Sequence, residues 1–257
     1  MQPAGAFDVV LDAAGERMSE VNSLTGYYKA YHQEYGNRAY MMAHAADTSR
    51  VFTLKEWIRK YVRKGGKILD IGCGDMHLAK ELPEFEWSGM DICNLQSGGR
   101  AVEHDLMKSP YPFEAQSFDA AVCSEVLEHV WNPEVVHVEV KRLLKKSGTY
   151  IVSTPNHHHL DMLLSRHQEV VYNPDFTHLR EHIRFYDLAS HENLLKRCGF
   201  RVTEYTGADP HFSKSFETAR AVLKARFPDM PAPARDELLG AMFPTTSHTI
   251  MVAACPV

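Results

Sequence analysis

The absences in this chain are informative. Its 5 cysteines are odd in number and scattered, with no CxxC pair. That argues against a disulfide framework or a structural zinc site and for a reducing cytoplasm. There is no basic excess; the formal net charge is −5. General nucleic-acid binders usually show a basic balance or a basic face, so nucleic acid is not the expected partner. No apolar run is long enough to span a bilayer, so no membrane partner is expected. Residues 1–20 show neither the charged n-region nor the apolar h-region of a signal peptide. The absence of GxxxxGK[ST] excludes a P-loop. His178 and His182 stand four apart, as metal-ligating pairs do on a helix. The HExxH glutamate is missing, so a metalloprotease is excluded.

What is present centres on Lys67–Leu78, KILDIGCGDMHL. Ile68 to Ile71 reads as a buried strand, followed by a glycine turn at Gly72-Cys73-Gly74 and a helix start at Asp75. Glycines there permit a tight turn and close approach to a ligand. Asp70 is unusual in an apolar strand and needs a hydrogen-bond partner or a ligand. Downstream, Glu86–Ile92 reads as a second strand ending on Asp91, and Ala101–Leu106 as a third containing Asp105. Phe118–Cys123 is a fourth, Tyr150–Thr154 a fifth and Phe200–Thr206 a sixth. Strands alternating with helical segments predict an α/β fold with a doubly wound, mostly parallel, Rossmann-like sheet and helices on both faces. Acids recur at the strand ends where such sheets bind ligands.

His77 occupies the third glycine position of a dinucleotide fingerprint, so a cofactor without phosphates suits the turn better. Asp70-Ile71-Gly72-Cys73-Gly74 resembles motif I of class I S-adenosylmethionine-dependent methyltransferases. Asp91 resembles their ribose-binding acid. His104-Asp105-Leu106, Pro112-Phe113 and Ser117-Phe118-Asp119 resemble their adenine-contacting loop and fourth strand. The resemblance spans roughly residues 50–205, and its small-molecule, ubiquinone-type O-methyltransferase branch is the nearest in pattern. It implies a seven-stranded sheet whose last strand, here Thr249–Ala254, runs antiparallel. It implies S-adenosylmethionine as cofactor and S-adenosylhomocysteine as product. The cofactor-binding set would be Asp70, Gly72, Cys73, Gly74, Asp91, Ile92, Asp105, Leu106, Ser124 and Glu125. Asp105 would accept from the adenine amino group. Cys73, Cys93 and Cys123 read as small buried residues.

Ser124–Val130, SEVLEHV, follows the fourth strand. If helical, it places Glu125, Glu128 and His129 on one face. Three readings stay open: an acidic helix start with a satisfied histidine, His129 as general base, or a divalent metal site completed by a distant histidine such as His182. His157, His158 and His159 follow the fifth strand at its ligand edge, so His157 and His158 join His129 as candidate catalytic groups. The helix expected over Glu134–Lys146 would bury Val135, Val138, Leu143 and Leu144 and end at Ser147-Gly148. The basic residues Lys141, Arg142, Lys145 and Lys146 read as a solvated face.

One methyltransferase domain is expected over residues 1–257. Residues 1–48 would form an N-terminal helical cap, with Tyr27, Tyr31 and Tyr35 on one helix face. Residues 49–206 would form the cofactor-binding core, 207–245 a helical cap insertion and 246–257 the last strand. The leading function is methyl transfer to a small-molecule hydroxyl with a histidine base. One alternative is metal-dependent 2′-O-methylation of an RNA 3′-terminal ribose through Glu125, Glu128, His129 and a later histidine. Another is a catalytically inactive cofactor-binding protein. A homo-oligomer is compatible with any of them.

Overall fold

The computed structural model describes residues 48–92, 99–157, 183–209 and 216–257. All belong to one compact unit spanning residues 45–257. The expected N-terminal helical cap, apart from Thr48, lies outside the described residues, as do Cys93, His158, His159, His178 and His182.

Helix α1, Ser49–Tyr61, starts where the Thr48 side chain accepts the Val51 N–H. Its buried stripe is Val51, Leu54, Trp57 and Ile58, and Arg59 and Lys60 occupy the last turn, where cations suit the helix dipole. Then follow β1 (Lys67–Ile71), α2 (His77–Glu81), β2 (Glu86–Asp91), β3 (Ala101–Glu103) and β4 (Phe118–Ser124). A 3₁₀ turn, Leu127–His129, precedes α3 (Pro133–Leu143) and β5 (Leu144–Pro155). The chain closes with α4 (Leu188–Arg197), β6 (Phe200–Ala208), α5 (Glu217–Arg226), α6 (Ala232–Met242) and β7 (Thr249–Pro256).

The seven strands form one sheet in the order β3-β2-β1-β4-β5-β7-β6. The β3-β2-β1-β4-β5 pairs are parallel; β7 runs antiparallel between β5 and β6. Strand order reverses between β1 and β4, and the crevice at that switch point is the binding position in open α/β sheets. Side chains alternate by face, as a period of two requires. Ile68, Val122, Ile151 and Met251 enter the core that α1 covers. Leu69, Ile71, Cys123, Val152 and Val252 enter the core beneath α3 and α4.

Three local expectations differ from the structure. Ser124–Val130 is not an α-helix: Glu125 sits at φ 56 and only a short 3₁₀ turn follows. The three side chains therefore do not share one helix face. Helix α3 ends at Leu143, and Lys145 to Gly148 run inside β5 rather than capping the helix. Its core face is Val136, Val140 and Leu143, with His137 and Glu139 also buried, while Val138 is exposed. The basic face is also not simply solvated. Arg142 donates to the carbonyls of Tyr111 and Phe113 at 3.0 Å each and pairs with Glu139. Lys145 pairs with Asp119 at 2.8 Å.

Candidate active site

The turn after β1 is built by glycine conformations. Gly72 has φ +67 and Gly74 φ +50. A Cβ on Gly72 would lie 2.4 Å from a methyl of Val126, so the β1 turn packs directly on the segment after β4. Gly74 donates its N–H to Asp91 Oδ2 at 2.9 Å, linking the turn to the end of β2. Asp70 and Asp91 are both buried. Burial, with Asp91 and Asp75 nearby, pushes the Asp70 carboxyl up to about 8. Cys73 is buried and its thiol is pushed up by burial, with Asp70 and Asp91 adding to it, which makes it an inert packing residue. Ile92 is half-buried just past β2.

The loop after β3 carries Asp105 and Leu106. Strand β3 stops at Glu103, earlier than the sequence suggests, so both lie on the loop at the ligand edge. Asp105 Oδ1 accepts the Met107 N–H at 2.9 Å. The Tyr111 hydroxyl donates to the Leu106 carbonyl at 2.9 Å. Glu139 of α3 accepts from Ser109 Oγ and from the Tyr111 N–H, so the Arg142–Glu139 clasp holds this loop down.

At the end of β4 a polar relay joins four elements. Ser124 and Ser153 hydroxyls are 2.9 Å apart, and Ser153 donates to Glu125 Oε1 at 2.8 Å. Arg50, in the first turn of α1, donates to Ser124 Oγ at 2.7 Å. Its backbone N–H reaches Asp209 Oδ1 at 3.0 Å, and Nε lies 3.5 Å from Asp209 Oδ2. Ser49 Oγ also donates to Asp209. Sequence reasoning missed Arg50, Ser153 and Asp209. No local signal marks them, because partners 74 and 159 residues away in the chain meet only through the sheet. Burial raises Glu125 against the opposing pull of Arg50. Burial, then Glu125, raises Glu128 well above its ordinary value. Oε2 of Glu128 is buried without a hydrogen-bond partner among the described residues.

His129 is half-buried, with Nε2 3.8 Å from Glu128 Oε1. His157 is exposed beside Phe185, ring centroids 5.1 Å apart, and its N–H donates to the Tyr186 carbonyl. The structure thus brings Asp70, Gly72, Gly74 and Asp91 together, and Ser124 with Glu125. Among the described residues no three His, Cys, Asp or Glu side chains converge as a metal site.

The donor set can be tested against the methyl donor of class I enzymes. S-adenosylmethionine carries two ribose hydroxyl donors, an ammonium, a sulfonium and a carboxylate. Asp70, which burial and the nearby Asp91 and Asp75 hold well above its ordinary value, calls for cationic or donor groups nearby, and Arg50 offers a cation to a carboxylate. The residues fit the group.

Residues 42–205 match the family model described as a methyltransferase domain. The ubiquinone biosynthesis O-methyltransferase of Thiobacillus denitrificans is 28% identical over 159 residues, covering 56% of this chain and 68% of that protein. Sterol 24-C-methyltransferase ERG6B of Gibberella zeae is 31% identical over 106 residues, covering 35% of this chain and 27% of that protein. The PH0226 protein of Pyrococcus horikoshii superposes with a TM-score of 0.54 at 19% identity, covering 90% of this chain and 98% of that one, which is a likeness of fold. The turn, the strand-end acids and the matched domain lead to one conclusion: this chain belongs to the methyltransferase domain family, as a class I S-adenosylmethionine-dependent methyltransferase.

Proposed function

We propose that the protein methylates a hydroxyl of a small-molecule acceptor, with His129 as general base. The observation that carries this is His129 itself. It is half-buried, stands five residues past the end of β4 and has Nε2 near a buried glutamate. When bound, S-adenosylmethionine supplies a methyl group already activated on a sulfonium sulfur. Asp91 would hold the ribose hydroxyls, Asp105 and Leu106 the adenine, and the Gly72-Cys73-Gly74 turn with Asp70 the methionine end. Ile92, Ser124 and Glu125 would complete that wall, and Arg50 would take the carboxylate. In this reading His129 would accept the acceptor's O–H proton and leave the oxygen ready to receive the methyl group that the cofactor would supply. Holding the nucleophile in line supplies much of the acceleration, and histidine is the side chain most often used for such proton removal. The domain plan is part of the reading: residues 49–206 as the cofactor core, with the α5–α6 segment covering the acceptor side.

The first test is direct. S-adenosylhomocysteine in excess should raise the melting temperature, and Asp91→Ala should abolish the rise. His129→Ala should lose turnover on a panel of phenols and sugars while keeping S-adenosylhomocysteine affinity. Full turnover in that variant removes the base assignment and turns attention to His157. The metal-assisted RNA alternative keeps one observation, the unpartnered Oε2 of Glu128. Metal content after mild purification, and activity in chelator on short RNA, separate it from the metal-free mechanism.

A further inference from the structure

Beneath α3 and α4, away from the cofactor turn, lies a cluster of buried polar groups that the transfer reaction does not use. His137 of α3 and His191 of α4 are both fully buried. Their rings are 6.4 Å apart. His137 packs edge-on against Tyr150 of β5 at 5.6 Å, and His191 lies tilted against Tyr186 at 5.3 Å. Among the described residues, neither ring nitrogen of His137, nor Nε2 of His191, nor the Tyr186 hydroxyl has a hydrogen-bond partner. His191 Nδ1 has a single long approach, 3.5 Å to Thr154 Oγ1. Buried polar groups are nearly always paired, so this many in one seam marks a weak point.

The seam holds down a strap at the ligand edge. Asp187 and Ser190 form a capping box that starts α4, and Leu194 and Leu195 bury its face. Just before it, Tyr186 bridges Asn156 and accepts the His157 N–H, while the N–H groups of Ile183 and Arg184 reach the Glu128 carbonyl. Docking of α4 therefore fixes Ile183–Tyr186 against the ends of β4 and β5.

We propose that the His137–His191 pair is an acid-sensitive latch: protonation in the open state releases α4 and its strap from the ligand edge while the rest of the sheet stays folded. The inference goes beyond the proposed reaction and does not depend on it. Among the described residues, the groups facing the pair offer no anion to compensate a charge. From β5 these are Tyr150 and Thr154, and ahead of α4, Tyr186. Behind them lie Cys123 of β4, whose thiol meets Tyr150, and Glu128, whose carboxyl burial pushes well above its ordinary value. At the surface Glu134 of α3 pairs with Arg197 of α4 at 3.0 Å, and Arg184 is bonded to the Trp131 carbonyl. Burial, then the neighbouring imidazole, lowers His137 to about 3, and burial lowers His191 to about 4. An opened seam returns both to roughly 6.5.

The sign follows from linkage. The closed state is neutral and the open state binds protons below about 6.5, so opening grows as pH falls. Between pH 7.5 and 5.5 each histidine multiplies the opening constant by about 10, and the two together by about 100. Hydrogen exchange on the intact protein reads this directly, with opening constants corrected for intrinsic exchange chemistry. Amides of residues 188–197 should show the roughly 100-fold rise while those of β1 and β4 keep their protection. His191→Gln should reduce the rise to about 10-fold, and the double variant with His137→Gln should remove it. An unchanged opening constant in the wild type, opening of β1 and β4 in step with α4, or a full pH response in the double variant would each overturn the latch. The wild-type comparison stands alone if a variant fails to fold.

Discussion

Asp70 is a carboxyl that folding leaves neutral. Buried beside Asp91 and Asp75, it stays protonated up to about pH 8, whereas in an unfolded chain it ionises near 3.9. The native state therefore binds the extra proton between those values. Its contribution to stability is full below about pH 4 and lost as pH rises through about 8. A cationic ligand reverses the preference. Titration calorimetry of S-adenosylmethionine in buffers of different ionisation enthalpy should show proton release near pH 7, with affinity rising towards pH 8. Asp70→Asn should abolish the release; an unchanged release would assign it to another group. Gly72 gives a second prediction at this scale. Its φ of +67 and the 2.4 Å approach to Val126 make Gly72→Ala strained twice over. A loss of about 1–3 kcal/mol in denaturant unfolding is expected, with weakened cofactor binding. The turn at Gly72 and the strand-end positions of Asp70 and Asp91 were legible in the sequence because a glycine turn after an apolar strand, and acids recurring at successive strand ends, are local patterns. Arg50 and Asp209 were not, because one salt bridge between residues 159 apart leaves no local pattern.

Helix α3 shows how a short helix can be misread. Valines at 135, 136, 138 and 140 admit two faces, and periodicity alone does not choose between them. The sheet chooses: Val136 and Val140 are fully buried while Val138 is exposed. Val140→Ala should therefore cost about 1–3 kcal/mol, and Val138→Ala should stay within about 0.5 kcal/mol. Equal losses in chemical denaturation would refute the assigned face. The same helix supplies Glu139 and Arg142 to the loop at Leu106. Arg142→Ala should weaken S-adenosylhomocysteine binding by loosening that loop. Unchanged affinity would show that the loop is held elsewhere. The sequence pattern pointed to a helix from Ser124 to Val130, but Val126 must pack on Gly72, and the chain there turns through a left-handed Glu125 instead.

For the molecule as a whole, β7 is the closing element. It pairs with β5 over Tyr150–Pro155 and with β6 over Phe200–Ala208. Removing residues 249–257 would leave two long unpaired edges and open both cores, since Val252 and Met251 sit on opposite faces. The truncated chain should lose its cooperative unfolding transition, measured by circular dichroism on heating. A cooperative transition at an unchanged temperature would contradict this role. The insertion before β7 is anchored closely: a Cβ on Gly240 of α6 would fall 1.9 Å from the Gly207 carbonyl of β6. Gly240→Ala should accordingly displace α6 from the sheet.

By itself the sequence determined the alternation of strands and helices, the glycine turn and the acids at the strand ends. These are local signals, set by the period of side chains along a strand and by the backbone freedom of glycine. The antiparallel last strand came from the family pattern, and its place between β5 and β6 agrees. Only the tertiary structure decided which valines of α3 are core, that Glu125 leaves the helical conformation, and that Arg50, Ser124, Ser153 and Asp209 form one relay. It also set two histidines side by side in a buried seam. Each of these depends on groups far apart in the chain, brought together by the order of the strands. Burial then fixes their charge, and no window of sequence contains that information.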